Sequence, residues 1–274
     1  MISFTKAHAC GNDFLIVTEE GAGGFNRADL ARRLCARSTG IGADGIEFFA
    51  WTGEKSGRIR LHNADGSIAE ISGNGTRCVA AWMAHTLRSQ PGEHLEIVTD
   101  AGPRLCRINA LSAAGGFTVE VTSGMGVPVF EPYTVTLAGG LHVVGVRVFT
   151  GNPHFVVVVD NPDFAVAGMA WEAIGARTCV HPDFPHQTNV EFVRVLSPDQ
   201  IEIRIFERGV GPTTSSGTGS SAAATAALAF MSCLSPLTVL APGGAQTVAW
   251  GGPAAELYLT GPASLIARGE AFYA

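Results

Sequence analysis

Ser72-Gly73-Asn74-Gly75 and Ser216-Gly217-Thr218-Gly219 decide how this chain is read. Each follows a strand-like run and opens an Ala-rich segment of helical periodicity, so each serine stands where a helix N-cap belongs. The two lie 144 residues apart, and other landmarks keep that order. Ile59-Arg60-Leu61 returns as Ile203-Arg204-Ile205 and Ile46-Glu47-Phe48 as Val190-Glu191-Phe192, both at 144, while Gly11-Asn12 returns as Gly151-Asn152 at 140. Such order marks an internal duplication, and a period this long excludes a solenoid. The expected fold class is α+β: two pseudo-symmetric domains, each a curved sheet around one central helix, with both helix starts facing the cleft between them. The halves are expected at residues 1–125 and 126–262, divided near the soft run Gly124 to Pro128, with residues 263–274 returning to the first.

Outward from the two serines, residues 2–6 and 14–18 read as strands around a tight Gly11-Asn12-Asp13 turn. Asp29 to Arg37 reads as the first helix. Gly40 to Gly45 is a turn feeding the apolar run Ile46 to Trp51, Arg58 to His62 alternates as a strand, and Asn63-Ala64-Asp65-Gly66-Ser67 closes it. The helix opened at Ser72 carries Val79, Ala80, Trp82, Met83 and Leu87 on helical spacing and ends near Arg88-Ser89-Gln90-Pro91. Residues 94–147 read as strands separated by Gly/Pro turns. The glycine run 40–45 has neither G-x-G-x-x-G spacing nor a Gly-Lys-Ser/Thr, and no βαβ alternation surrounds it, which argues against a nucleotide loop.

Composition narrows the function classes. A hydrophobic share of 46% over 274 residues supplies ample core. The net charge of −6, without any Lys/Arg cluster, argues against nucleic acid as a partner. No apolar run reaches the roughly 18 residues of a membrane span, and the N-terminus shows no charged leader before an apolar stretch. The expectation is therefore a cytoplasmic protein without a membrane partner. The six cysteines show no C-x-x-C spacing and the eight histidines no metal spacing, so no metal is expected.

A helix start preceded by glycine offers unpaired N–H groups and the positive end of the helix dipole, which suits an anion. An ordinary cap explains either serine alone; two equivalent caps call for a common reason. Polar residues at strand ends join them by the repeat: Asn12 with Asn152, Asn63 with Glu207, and Arg208 and His154 beside these. Asparagines both donate and accept, an arginine grips a carboxylate, and a glutamate pairs an ammonium. The set suits a small zwitterionic amino acid.

In order along the whole chain, these motifs resemble the diaminopimelate epimerase family: His8-Ala9-Cys10-Gly11-Asn12-Asp13-Phe14, Gly40 to Gly45, Asn63 to Ser67, Gly73-Asn74-Gly75-Thr76-Arg77-Cys78, Gly151-Asn152-Pro153-His154, Asn189-Val190-Glu191-Phe192, Glu207-Arg208-Gly209-Val210-Gly211, Gly217-Thr218-Gly219 and Thr260-Gly261-Pro262-Ala263. The resemblance implies a cofactor-independent racemisation in lysine biosynthesis, from LL- to meso-diaminopimelate, by a homodimer. It implies one proton-transferring cysteine from each half, at positions 72 and 216, assisted by His154 and Glu207 respectively. It further implies substrate contacts from Asn12, Asn63, Asn152, Asn189, Glu207 and Arg208, with the carboxylate on the amides of Gly73, Asn74, Gly217 and Thr218.

The chain departs from that pattern where the chemistry is concentrated, since both cysteine positions hold serine. A thiol near a helix start ionises readily, whereas a serine hydroxyl stays protonated until another group activates it. Pro212-Thr213-Thr214 also replaces the acidic residue and threonine usual in the family, and Pro212 removes a backbone donor. Cys10 is a candidate substitute thiol. Three readings stay open. One is an epimerase-type isomerase, its serines natural or introduced; if natural, His154 and Glu207 would move protons on a more acidic substrate, or in an elimination or a double-bond isomerisation. The second is an amino-acid binding protein without the acid/base pair, and the third a structural oligomer.

Overall fold

The computed structural model describes residues 1–113 and 116–272, and it divides into two compact units: residues 1–124 with 260 onward, and residues 125–259. Unit 1 runs β1 (Ile2–Ala9), β2 (Asn12–Thr18), α1 (Glu19–Ala22), α2 (Arg27–Leu34), β3 (Gly45–Gly53), β4 (Ser56–Asn63), β5 (Ile68–Ala69), α3 (Gly73–Leu87), β6 (His94–Thr99), β7 (Gly102–Ser112) and β8 (Phe117–Gly124). Unit 2 runs β9 (Val129–Leu137), β10 (Leu141–Phe149), β11 (Pro153–Val158), α4 (Trp171–Cys179), β12 (Asn189–Ser197), β13 (Gln200–Glu207), β14 (Gly211–Thr213), α5 (Gly217–Phe230), β15 (Leu237–Ala241) and β16 (Gly244–Trp250). The last strand, β17 (Leu257–Ala271), leaves unit 2 and completes unit 1.

In unit 1 the pairings close on themselves. β1 pairs β2, β2 pairs β3 in parallel, β3 pairs β4, and β4 pairs β6 in parallel. β6 then pairs β7, β7 pairs β8, β8 pairs β17, and β17 returns to β1. The expected curved sheet is thus a closed barrel, which leaves none of its main strands as an edge. Unit 2 repeats the order from β9 through β13 to β15 and β16, again with two parallel pairs, β11 with β12 and β13 with β15. Parallel neighbours need a crossover, and α1 with α2 and then α3 supply it in unit 1, α4 and then α5 in unit 2.

A helix enclosed by a sheet must be small and apolar on every side. α3 meets this with Cys78 to Ala81, Met83 and Ala84, all buried against Phe49, Leu61, Ile97 and Val121. α5 meets it with Ala222, Ala223, Ala224, Ala226 and Ala227 against Val156, Ile203, Ile205 and Val239. Each sheet's other face packs its crossover helices: Leu30 and Leu34 with Leu15 and Phe48 in unit 1, Ile174 and Cys179 with Phe155 and Phe192 in unit 2.

Several boundaries differ from expectation for tertiary reasons. The helix expected from Asp29 is α2, preceded by the short α1; it begins at Arg27, capped by the Asn26 side chain on the Asp29 amide, and stops at Leu34. Arg37 lies beyond it because its guanidinium is taken by Asp13 and Asp44. The expected turn tightens onto Cys10 and Gly11, both at positive φ, and frees Asn12 to start β2. α4 lacks a side-chain cap, so the usual sequence signal for a helix start is missing there.

Candidate active site

Two half-sites are built alike, one in each unit. In unit 1, Ser72 caps α3: its Oγ accepts the Gly75 amide at 3.0 Å and its carbonyl accepts the Thr76 amide at 2.8 Å. The Gly73 and Asn74 amides have no acceptor within the helix, as in any first turn. In unit 2, Ser216 Oγ accepts the Gly219 amide at 3.1 Å, leaving Gly217 and Thr218 in the same position. The two helix starts can each hold a carboxylate on backbone donors.

The asparagines at the strand starts are braced. Asn12 donates to Asp44 at 2.7 Å and accepts from Asn74 at 3.2 Å, while Asn74 accepts from Arg77 at 2.6 Å. Arg77 is fully buried, and burial lowers its pKa from the usual arginine value. Arg37 grips Asp13 and Asp44, and Lys6 lies 3.0 Å from Asp13. Burial opposes ionisation of Asp13, but the Arg37 and Lys6 bonds outweigh it and hold its pKa below the usual carboxylate value. Asn63 closes its own turn by donating to Ser67 at 3.0 Å.

Unit 2 gathers the ionisable groups. His154 lies with Nδ1 2.8 Å from Glu191 and Nε2 2.8 Å from Asn152 Oδ1, and Asn152 reaches Thr218 at 3.4 Å. Burial pushes the Glu191 pKa up, and the facing His154 pulls it back. Glu207 ends β13. Burial pushes Glu207 up to about 7; the Ser216 hydroxyl opposes this, and the Glu191 charge adds to it. Asn189 accepts the Arg208 amide at 2.9 Å and donates to the Pro153 carbonyl at 3.3 Å, whereas the Arg208 guanidinium donates to the His186 carbonyl at 3.0 Å.

Sequence reasoning used Glu47 and Glu191 only as landmarks of the repeat. Both are fully buried beneath a helix start, Glu47 against Gly75 and Glu191 against Gly219. The available signal was a carboxyl inside each of two apolar runs at the repeat spacing. Among the described residues no cluster of three or more His, Cys, Asp or Glu is placed to hold a metal, and no helix is long and apolar enough to cross a membrane.

A closed barrel around a capped, glycine-led helix, repeated in a second α+β unit, is the architecture of the two-domain isomerases that resemble diaminopimelate epimerase. A phenazine biosynthesis protein of the PhzF family from Bacillus anthracis superposes with a TM-score of 0.71 at 17% identity, covering 99% of each chain. A probable proline racemase from Agrobacterium radiobacter gives 0.73 at 16%, covering 99% of this chain and 93% of that one. The family model of diaminopimelate epimerase matches residues 4–131 and 146–266. The diaminopimelate epimerase of Carboxydothermus hydrogenoformans is 34% identical across 99% of this chain and 100% of its own. The chain belongs to the diaminopimelate epimerase family and is an isomerase of the amino-acid epimerase type.

Proposed function

We propose that the protein is a cofactor-independent epimerase acting on diaminopimelate in lysine biosynthesis, with serines at the two positions that the family fills with cysteine. The observation that carries this reading is the Glu207 carboxyl at the end of β13, pushed up to about 7 by burial, with the Ser216 hydroxyl among the groups that act on it. A serine takes up an α-proton only if its own proton leaves at the same time, and a carboxylate near neutrality beside it provides for that. A base near neutrality is half ionised at physiological pH, so Glu207 serves in both directions. His154, braced by Glu191 and Asn152, is the second proton-handling group. The amides of Gly73, Asn74, Gly217 and Thr218 bind the α-carboxylate, and Asn12, Asn63, Asn152, Asn189 and Arg208 position the zwitterion. A cytoplasmic homodimer belongs to the same proposal.

Incubation with LL-diaminopimelate in heavy water tests it. The expected result is deuterium at the α-carbon together with meso product; no exchange at any pH removes the epimerase. One observation favours a second reading, an amino-acid binding protein: among the described residues of unit 1, Ser72 Oγ is bonded to the Gly75 amide and to neither a carboxyl nor an imidazole. Calorimetric binding of diaminopimelate without exchange would establish that reading.

A further inference from the structure

Glu47 is a buried carboxyl with nothing to do in the scheme above. It lies on the face of β3 that looks onto α3, beside Phe49, and it is 0% exposed. Neither of its oxygens has a hydrogen-bond partner among the described residues. It is pressed against the first turn of the Ser72-capped helix, so closely that a Cβ on Gly75 would overlap its Oε1.

The repeat shows what is missing. In unit 2, β11 and β12 set His154 against Asn189 and Val156 against Glu191, and the imidazole meets the Glu191 carboxyl. In unit 1, β2 and β3 set Phe14 against Gly45 and Ile16 against Glu47. Phe14 therefore occupies the register position of His154, and Glu47 is left with the carboxyl half of the pair. An unpaired carboxyl in an apolar site stays protonated well above its normal range. Burial, followed by the Asp100 charge, pushes Glu47 up to about 8.

The groups that bear on it are few. Asp100 opposes its ionisation, and Arg60 on β4 lies 3.5 Å from Asp100. On α3, Cys78 is held protonated by burial, and a charged Glu47 would disfavour its thiolate in turn. Arg77 on α3 turns to Asn74, and Asp13 on β2 is engaged by Lys6 and Arg37.

We infer that Glu47 is the positioning acid of the Ser72 half-site: a neutral carboxyl under the first turn of α3, whose ionisation competes with the binding of a substrate carboxylate at that helix start. The inference rests on the substrate reading above and adds a residue to it. A helix start favours a single negative charge; with Glu47 neutral, that place is open to the ligand. An ionised Glu47 would satisfy the dipole from inside and repel the ligand, and by linkage a bound carboxylate would hold the proton on Glu47.

The test is calorimetric titration of the full-length protein with meso-diaminopimelate from pH 6.5 to 9. The wild type is expected to lose about tenfold in affinity across pH 8, within the usual range of site-to-site coupling, while Glu47→Gln binds with little pH dependence. Phe14→His, which supplies the missing imidazole, is expected to move the loss to lower pH, and it serves if Glu47→Gln fails to fold. Equal pH dependence in wild type and Glu47→Gln, or none in the wild type, overturns the inference and leaves the substrate reading intact. If diaminopimelate does not bind at pH 7, the substrate reading falls, and infrared titration of the Glu47 carboxyl with and without sulfate decides. A protonated-carboxyl band whose midpoint rises with sulfate supports the inference; one indifferent to sulfate overturns it.

Discussion

At the residue level the chemistry of this protein is that of carboxyls standing near serines. At positions 72 and 216, where the proposed function places the proton-transferring groups, stand serine hydroxyls, which a helix start does not ionise and which need a base close by. Each unit of pKa mismatch costs about 1.4 kcal/mol in proton transfer, so the base must be close and near neutrality. Glu207, raised to about 7 with the Ser216 hydroxyl among the groups acting on it, is the candidate for Ser216. Because its folded pKa is raised to about 7, the active carboxylate form is populated above that pH. Deuterium exchange is expected to rise through pH 7 and level off in the wild type. Glu207→Gln should lower it by roughly 10²- to 10⁴-fold, the range of a lost general base, and abolish the rise. An unchanged rate and profile would remove Glu207 from the reaction. Glu207 was named as a candidate from the sequence through the resemblance. The partnering of His154 by Glu191 was not, because it depends on two strands meeting in one register.

At the level of elements, glycine governs how closely a helix can approach a sheet. Gly75 lets the first turn of α3 lie on Glu47, and Gly219 lets α5 lie on Glu191, where a Cβ would come within 2.8 Å of the carboxyl oxygen. Gly75→Ala is therefore expected to cost about 1–3 kcal/mol, the usual penalty for overfilling a packed site, read as a lower urea midpoint. The double change Gly75→Ala with Glu47→Ala should recover part of the loss, since the overlapping atoms are removed. A Gly75→Ala protein as stable as the wild type would show that the helix start is free to shift. The glycines of Ser-Gly-Asn-Gly and Ser-Gly-Thr-Gly were legible as helix-start signals. That the last glycine of each also makes room for a buried carboxyl follows only from the packing of helix on strand.

At the level of the whole molecule, duplication supplies two half-sites on one plan with different contents. Unit 2 pairs a histidine with a buried acid and carries a second acid raised to about 7, while unit 1 holds an unpaired acid and a braced pair of asparagines. On the proposed function, introducing a thiol at each position, Ser72→Cys with Ser216→Cys, is expected to raise diaminopimelate epimerisation well above the wild-type rate, measured as conversion of the LL to the meso isomer. Either single substitution should give less. Failure of the double variant, with binding intact, would mean that the chain has moved to another reaction.

The sequence by itself determined the duplication, the two capped helices and the family, because spacing, capping and glycine placement are local properties that survive in a linear string. It also named the polar residues at the strand ends. Only the tertiary structure decided that the sheet of unit 1 closes around α3, that His154 stands on Glu191, and that Phe14 leaves Glu47 alone. The physical reason is that a carboxyl's proton is set by burial and by its neighbours, and those are chosen when strands far apart in the chain come into register.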